Sequence, residues 1–290
     1  MNLAYDIVVP GLDILGEGPV WNGREQALYW VDIRAPAVRR LDPSTGERRS
    51  WAMPELCPGV GFDRNGPIVA LRRFIVSLDT DNGATRPLVE VEPAALDNRL
   101  NEMRCDRQGR IWVGSMRDFG AAVTGSLYRI VPPRVTKMLE PVHLPNGIAW
   151  SPDSRTMYFA DTGDKRVRAY DFDAASGAMS GMRILVAAEA LPGVPDGCAI
   201  DADGCMWSVR YGAGMIVRIT PDGRIDRKVE LPATQPTACA FGGSDLRTLY
   251  VTSARQRLTD EALAQQPHAG SIFALRPDVG GLPEPVVGIG

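Results

Sequence analysis

The sequence predicts an all-β fold, a six-bladed β-propeller, on three observations. A turn of the form D-x-x-G followed by a short apolar or aromatic strand recurs along the chain, in CDRQGRIWVGSM (105–116), WSPDSRTMYFAD (150–161) and IDADGCMWSVR (200–210). The recurrences open units near residues 18, 58, 103, 147, 197 and 238, a spacing of roughly 40–50 residues that suits four-stranded blades. Amphipathic helices are scarce, and LTDEALAQQ (258–266) can form two turns at most.

The elements follow in order. YDIVVP (5–10) is a lone strand ahead of the first unit, and a closed ring needs both chain ends, so it is expected to complete the last blade. GREQALYWVDI (23–33) and VRRLDPSTG build the first unit, while the second is the least regular. SLYRIVP, VRAYDFDAASG and IVRITPDG continue the third, fourth and fifth units; GGSDLRTLYVTSA (242–254) and SIFALRPDVGG make the sixth. Val, Ile, Tyr, Trp and Phe alternate with polar residues, and Gly, Asp, Asn and Pro punctuate them. A lone antiparallel sheet cannot bury both faces, so blades pack on their neighbours. Trp21, Trp30, Trp112, Trp150 and Trp207 lie in strand patterns and read as inter-blade core. With no low-complexity linker, residues 1–290 read as a single six-bladed domain.

Composition narrows the function classes. Charged residues at 23% and hydrophobic ones at 44% describe a soluble globular chain. The net charge of −3 supplies no electrostatic footprint for nucleic acid. No apolar stretch is long enough for a membrane helix, and the N-terminus has no basic region or cleavage site of a secretory signal. Five cysteines without a CxxC pair indicate neither a disulfide framework nor a cysteine-zinc site, so a reducing cytoplasm is expected. Nothing in the sequence reports the oligomeric state.

Two stretches, LPNGIAW (144–150) and VPDGCAI (194–200), share one shape and place Asn146 and Asp196 at matching points. In a propeller the strand starts nearest the axis present their residues to one end of the central channel. Asn146 and Asp196 should therefore converge there, with Glu17 of LGEGPVW and Asn101 of RLNEMRCD. Two carboxylates and two amides are hard oxygen donors, suited to one divalent metal ion: Ca²⁺, Mg²⁺, Mn²⁺ or Zn²⁺. Other chemistries lack their parts. Only two histidines exist, His143 and His268, and neither G-x-S-x-G nor a phosphate-binding glycine pattern occurs. His143 is expected to pack or cap its loop, and Arg210 and Tyr211 to reach the pocket rim.

The order and spacing of LGEGPVW, RLNE, LPNGIAWSPD, VPDGCAIDADGCMW and FGGSDLRTLYVTSAR resemble the senescence-marker/regucalcin/gluconolactonase family of six-bladed propellers, over nearly the whole chain. The resemblance implies a metal-dependent hydrolase of sugar lactones. It implies metal held by Glu17, Asn146 and Asp196, with Asp196 as proton acceptor, Arg99 on the substrate and Asn101 on metal or substrate. Two positions depart from the family pattern. Glu102 follows Asn101 where an Asp is usual, and Phe119, with Asp118 beside it, stands where regucalcin-like members carry a substrate-touching glutamate.

This chemistry suits lactone opening, which needs a polarised carbonyl, an activated water and a proton for the leaving alkoxide. One dication supplies the first two, and Asp196 can take the proton if one of its oxygens stays free; otherwise metal hydroxide is the better description. The expected reaction turns a sugar (aldono) lactone, a small-molecule substrate, into its aldonic acid. Two other classes fit such a site: a phosphotriesterase-like hydrolase and a non-enzymatic propeller that binds calcium or a protein.

Overall fold

A computed structural model describes residues 3–11, 13–92 and 97–288; the outermost residues of the unit expected over 1–290 lie outside it. Six four-stranded antiparallel sheets form the six blades of a propeller. Their innermost strands are Gly16–Asn22, Gly59–Phe62, Asn98–Cys105, Pro145–Trp150, Val194–Ile200 and Pro236–Gly242. Each touches the next, and the last touches the first, so they ring the channel. Closure runs as expected: Tyr5–Val9 pairs with Ile272–Leu275 to finish the sixth blade, Tyr5 opposite Leu275 and Ile7 opposite Phe273. The helix in LTDEALAQQ is Asp260–Gln265, capped by Thr259, whose hydroxyl accepts from the Ala262 N–H. Among the described residues, no helix is long and apolar enough to cross a membrane.

The recurrent turn has a local cause. Asp106 Oδ1 accepts from the Gln108 and Arg110 N–H groups at 3.0 Å, and its Oδ2 accepts from Trp112 Nε1 at 2.8 Å. Asp201 repeats the device, with the N–H groups of Asp203 and Cys205 on Oδ1 and Trp207 Nε1 on Oδ2 at 2.9 Å. One carboxylate thus shapes the turn and satisfies the indole that the next strand buries. All five tryptophans assigned to the core are buried.

The tail crosses the far end of the channel. Gly281 N–H bonds the Leu246 carbonyl, Val287 N–H the Phe62 carbonyl and Gly288 N–H the Gly109 carbonyl. A cavity of about 90 Å³ there is walled partly by Leu282–Pro285, and one of about 300 Å³ beside it partly by Glu284–Val286. The other end is open.

Candidate functional site

The innermost strands carry a shared irregularity. In five of the six, the register slips by one residue: between Glu17 and Val20, Leu100 and Met103, Asn146 and Ala149, Pro195 and Cys198, and Pro236 and Cys239. Gly59–Phe62 of the second blade pairs without a slip. Each slip is a β-bulge, which bends the strand and re-aims the side chains beside it. Glu17, Asn101, Asn146 and Asp196 all lie at these bulges, within the first four residues of their strands.

The glycines after Asn146 and Asp196 follow from the same geometry. Gly147 has φ +59°, and a Cβ there would meet Ala160 Cβ at 2.9 Å. A Cβ on Gly197 would lie 2.4 Å from Ala238 Cβ of the next blade. The first glycine supplies the left-handed residue of the bulge; the second lets two inner strands touch.

Two aspartates hold the entering segments. Asp32, which ends the second strand of blade one, accepts from the Ile14 N–H at 2.8 Å and the Leu15 N–H at 3.2 Å, just ahead of Glu17. Asp161 ends the second strand of blade four and accepts from His143 and Leu144 N–H groups, both at 2.9 Å, just ahead of Asn146. The Thr237 hydroxyl donates to the Gly16 carbonyl and ties the sixth blade to the first beside Glu17.

The donors meet at an open cavity of about 230 Å³ whose wall includes Glu17, Asn101, Asn146 and Asp196. Asn101 Nδ2 donates to Asn146 Oδ1 at 2.8 Å and to the Pro145 carbonyl at 2.9 Å. Asn146 Nδ2 donates to Thr162 Oγ1 at 2.9 Å, and Thr162 in turn donates to the Pro195 carbonyl, beside Asp196. Thr162 thus fixes which end of the Asn146 amide is nitrogen. Arg99 donates to Asn101 Oδ1 at 2.7 Å and to Asp118 Oδ1 at 2.7 Å. Asp118 also takes both arms of Arg34, at 3.0 and 2.8 Å. Burial pushes Asp118 upward, but the two guanidiniums outweigh it and hold the carboxyl below its usual range.

Glu17 and Asp196 differ. Neither is ion-paired among the described residues. Burial first, helped by Glu102 and opposed by the Gly18 N–H, lifts Glu17 to about 7. Burial, then the charges of Glu17 and Glu102, raises Asp196 well above the carboxylate range. Two desolvated acids facing one another without a counter-charge fit a dication, and the fixed amide oxygens complete a hard donor set. Among the described residues no group of three or more His, Cys, Asp or Glu is placed for a metal, so amide oxygens are needed.

Of the other expected residues, Arg99, Asp118 and Tyr211 line the cavity. Phe119 does not: it is 68% exposed, with its ring 5.5 Å from the Arg34 guanidinium carbon. Arg210 is buried away from the rim and donates to the Pro192 and Gly193 carbonyls at 3.1 and 3.2 Å. His143 is exposed and outside the cavity wall. Sequence reasoning missed Arg34, Thr162, Gln256 and Arg257, which line the same cavity. The aspartate closing YWVD and YFAD was a repeat signal one residue from Thr162; the other three had none.

Comparison with known proteins matches residues 15–255 to the model of the SMP-30/Gluconolactonase/LRE-like region. The chain is 39% identical to the 6-deoxy-6-sulfogluconolactonase of Pseudomonas putida over 99% of each chain. It is 36% identical to the L-arabinolactonase of Azospirillum brasilense, over 89% of this chain and 87% of that one. A crystal structure of a calcium-binding protein, regucalcin, from Agrobacterium tumefaciens superposes with a TM-score of 0.94 at 30% identity, covering 99% of this chain and 98% of that one.

Proposed function

The chain belongs to the SMP-30/gluconolactonase/LRE-like family, and from that premise we propose that it is a lactonase, opening sugar lactones at the channel mouth with the help of one divalent metal ion. The observation that carries the reading is the convergence of Glu17, Asn146 and Asp196 at one cavity, with both acids raised by burial. The relatives are named for a sulfonated hexonolactone and a pentonolactone, and the class they share is the one proposed.

Glu17, Asn146 and Asp196 would hold the ion, which when bound would supply a Lewis acid for the lactone carbonyl and lower the pKa of water. Asp196 takes a proton from water as the water oxygen bonds to the carbonyl carbon. When the ring C–O bond breaks, that proton goes to the departing ring oxygen, which leaves a hydroxy acid. Arg99, clamped by Asp118, offers donors to substrate hydroxyls. Asn101 holds the Asn146 amide in register. The tail crosses the far end of the channel, so substrate is expected to enter at the mouth that the donors line.

The test is acid release from glucono-1,5-lactone before and after exhaustive chelation. Chelation is expected to abolish the activity, and Mg²⁺, Mn²⁺, Ca²⁺ or Zn²⁺ to restore it. Full activity in a verified metal-free sample overturns the reading.

A further inference from the structure

The cavity wall carries more positive charge than opening a neutral lactone requires. Outside the donor pair Glu17 and Asp196, its charged residues are Arg34, Arg99 and Arg257 against Asp118 alone. Arg34 and Arg99 share Asp118. Arg257 is exposed and has no carboxylate partner among the described residues. The hydroxyls of a neutral sugar lactone are served by neutral donors and acceptors. An uncompensated guanidinium at the mouth of a site is suited to an anion, which it can bind through two parallel hydrogen bonds.

Arg257 is also held in place. The N–H groups of Arg255 and Gln256 donate to the Ile14 carbonyl at 3.1 and 2.9 Å, and the helix cap Thr259 follows two residues later. Between these anchors Arg257 adopts φ +59°, a left-handed conformation that arginine seldom takes. Tyr211 and Gln256 line the same wall, and Tyr211 feels the charges of both Asp196 and Arg257. The loop therefore fixes the backbone from which an unpaired guanidinium, among the described residues, extends on the same wall as the proposed proton acceptor.

We propose that Arg257 recognises an anionic substituent, so that the substrate is a sugar lactone bearing a sulfonate, phosphate or carboxylate on the end of its carbon chain remote from the carbonyl. This rests on the lactonase reading above and names its substrate class. No new bond is involved; the anion is a handle that orients the ring.

The experiment compares kcat/KM of the metal-loaded enzyme for glucono-1,5-lactone, glucaro-1,4-lactone and 6-phosphoglucono-1,5-lactone made in situ. At low salt the anionic lactones should be preferred by about tenfold or more, mostly through KM, and the preference should shrink as salt screens the exposed pair. Arg257→Gln should cut the anionic-to-neutral ratio about tenfold, and Arg257→Lys should keep only part of it, because an ammonium keeps the charge but not the paired hydrogen bonds. Calorimetry with 6-phosphogluconate against gluconate reads the same subsite without turnover. Hydrolysis of neutral lactones with no anionic preference, or a preference that Arg257→Gln leaves intact, overturns the subsite and leaves the lactonase standing. Equal binding of the two acids also overturns it. Failure to hydrolyse any lactone when metal-replete sinks the lactonase reading itself.

Discussion

Glu17, Glu102 and Asp196 all project into the channel, and they differ in what answers their charge. Glu102, one residue beyond Asn101, accepts from Arg104 Nε at 3.0 Å on one oxygen and from the Ile148 N–H at 2.9 Å on the other. Arg104 reaches on to the Pro19 carbonyl of blade one at 3.2 Å and the Cys198 carbonyl of blade five at 3.5 Å. Glu102 and Arg104 thus tie four blades together across the axis. At the mouth, Glu17 has the N–H of its own neighbour Gly18, and Asp196 stands opposite Glu17 without an ion pair. Burial pushes all three acids upward. A buried charge with its partner in place is part of the frame. Facing acids with none mark where a ligand belongs.

The sharpest way to break this contrast is to neutralise one acid from each layer. Asp196→Asn keeps the shape of the side chain but removes the proposed proton acceptor, and kcat should fall about 100-fold or more at saturating metal. Glu102→Gln leaves Arg104 buried without its counter-charge. Its main effect should be on folding, a loss of about 3 kcal/mol in urea denaturation, with a far smaller change in kcat. Metal content must be verified in each variant. If metal-loaded Asp196→Asn turns over normally, water is activated without this carboxylate. If Glu102→Gln loses rate as Asp196→Asn does while its stability holds, the two layers are not functionally distinct.

The contrast also explains what the sequence made legible. The D-x-x-G turn and its tryptophan were readable because Asp106 and Asp201 make all their key bonds within six residues. The convergence of Glu17, Asn101, Asn146 and Asp196 on one cavity was readable because they stand at the same phase of four inner strands. Blade two was hard to read for a physical reason: its inner strand, Gly59–Phe62, has four residues and no bulge. Arg34 meets Asp118 across 84 residues, and Arg257 belongs to a loop that no other blade copies, so no local pattern encodes either. Phe119 came from matching positions to the family, and here it falls in the loop after Ile111–Arg117, where the strand pattern no longer sets which way a side chain faces.

A smaller effect separates Glu17 from Asp196 within the mouth. Glu17→Gln removes one charge from the donor set but no proton acceptor. Metal affinity should weaken by about tenfold or more, and excess metal should recover part of the rate. Calorimetric metal titration beside rate measurements across metal concentrations checks this. Normal affinity with a rate that excess metal never restores places Glu17 in the proton transfer.

The smallest effect is on the stability of the metal-free protein, and its sign follows from the Glu17 shift. An unfolded glutamate titrates near 4.5, whereas burial lifts folded Glu17 to about 7. Between those values the folded state binds more protons than the unfolded one, so stability falls as pH rises. Below the lower value both states are protonated, and the folded protein carries no penalty from this group. Above the upper value the penalty is complete. Wild type and Glu17→Gln, both stripped of metal, should therefore diverge in Tm across this window, the variant gaining relative to wild type as pH increases. Added metal should reverse the difference at high pH, because the dication answers the charge that the buried pair cannot answer alone. A Tm difference that stays flat across the window, or one that grows toward acid, means that Glu17 is compensated within the protein after all, as Glu102 is.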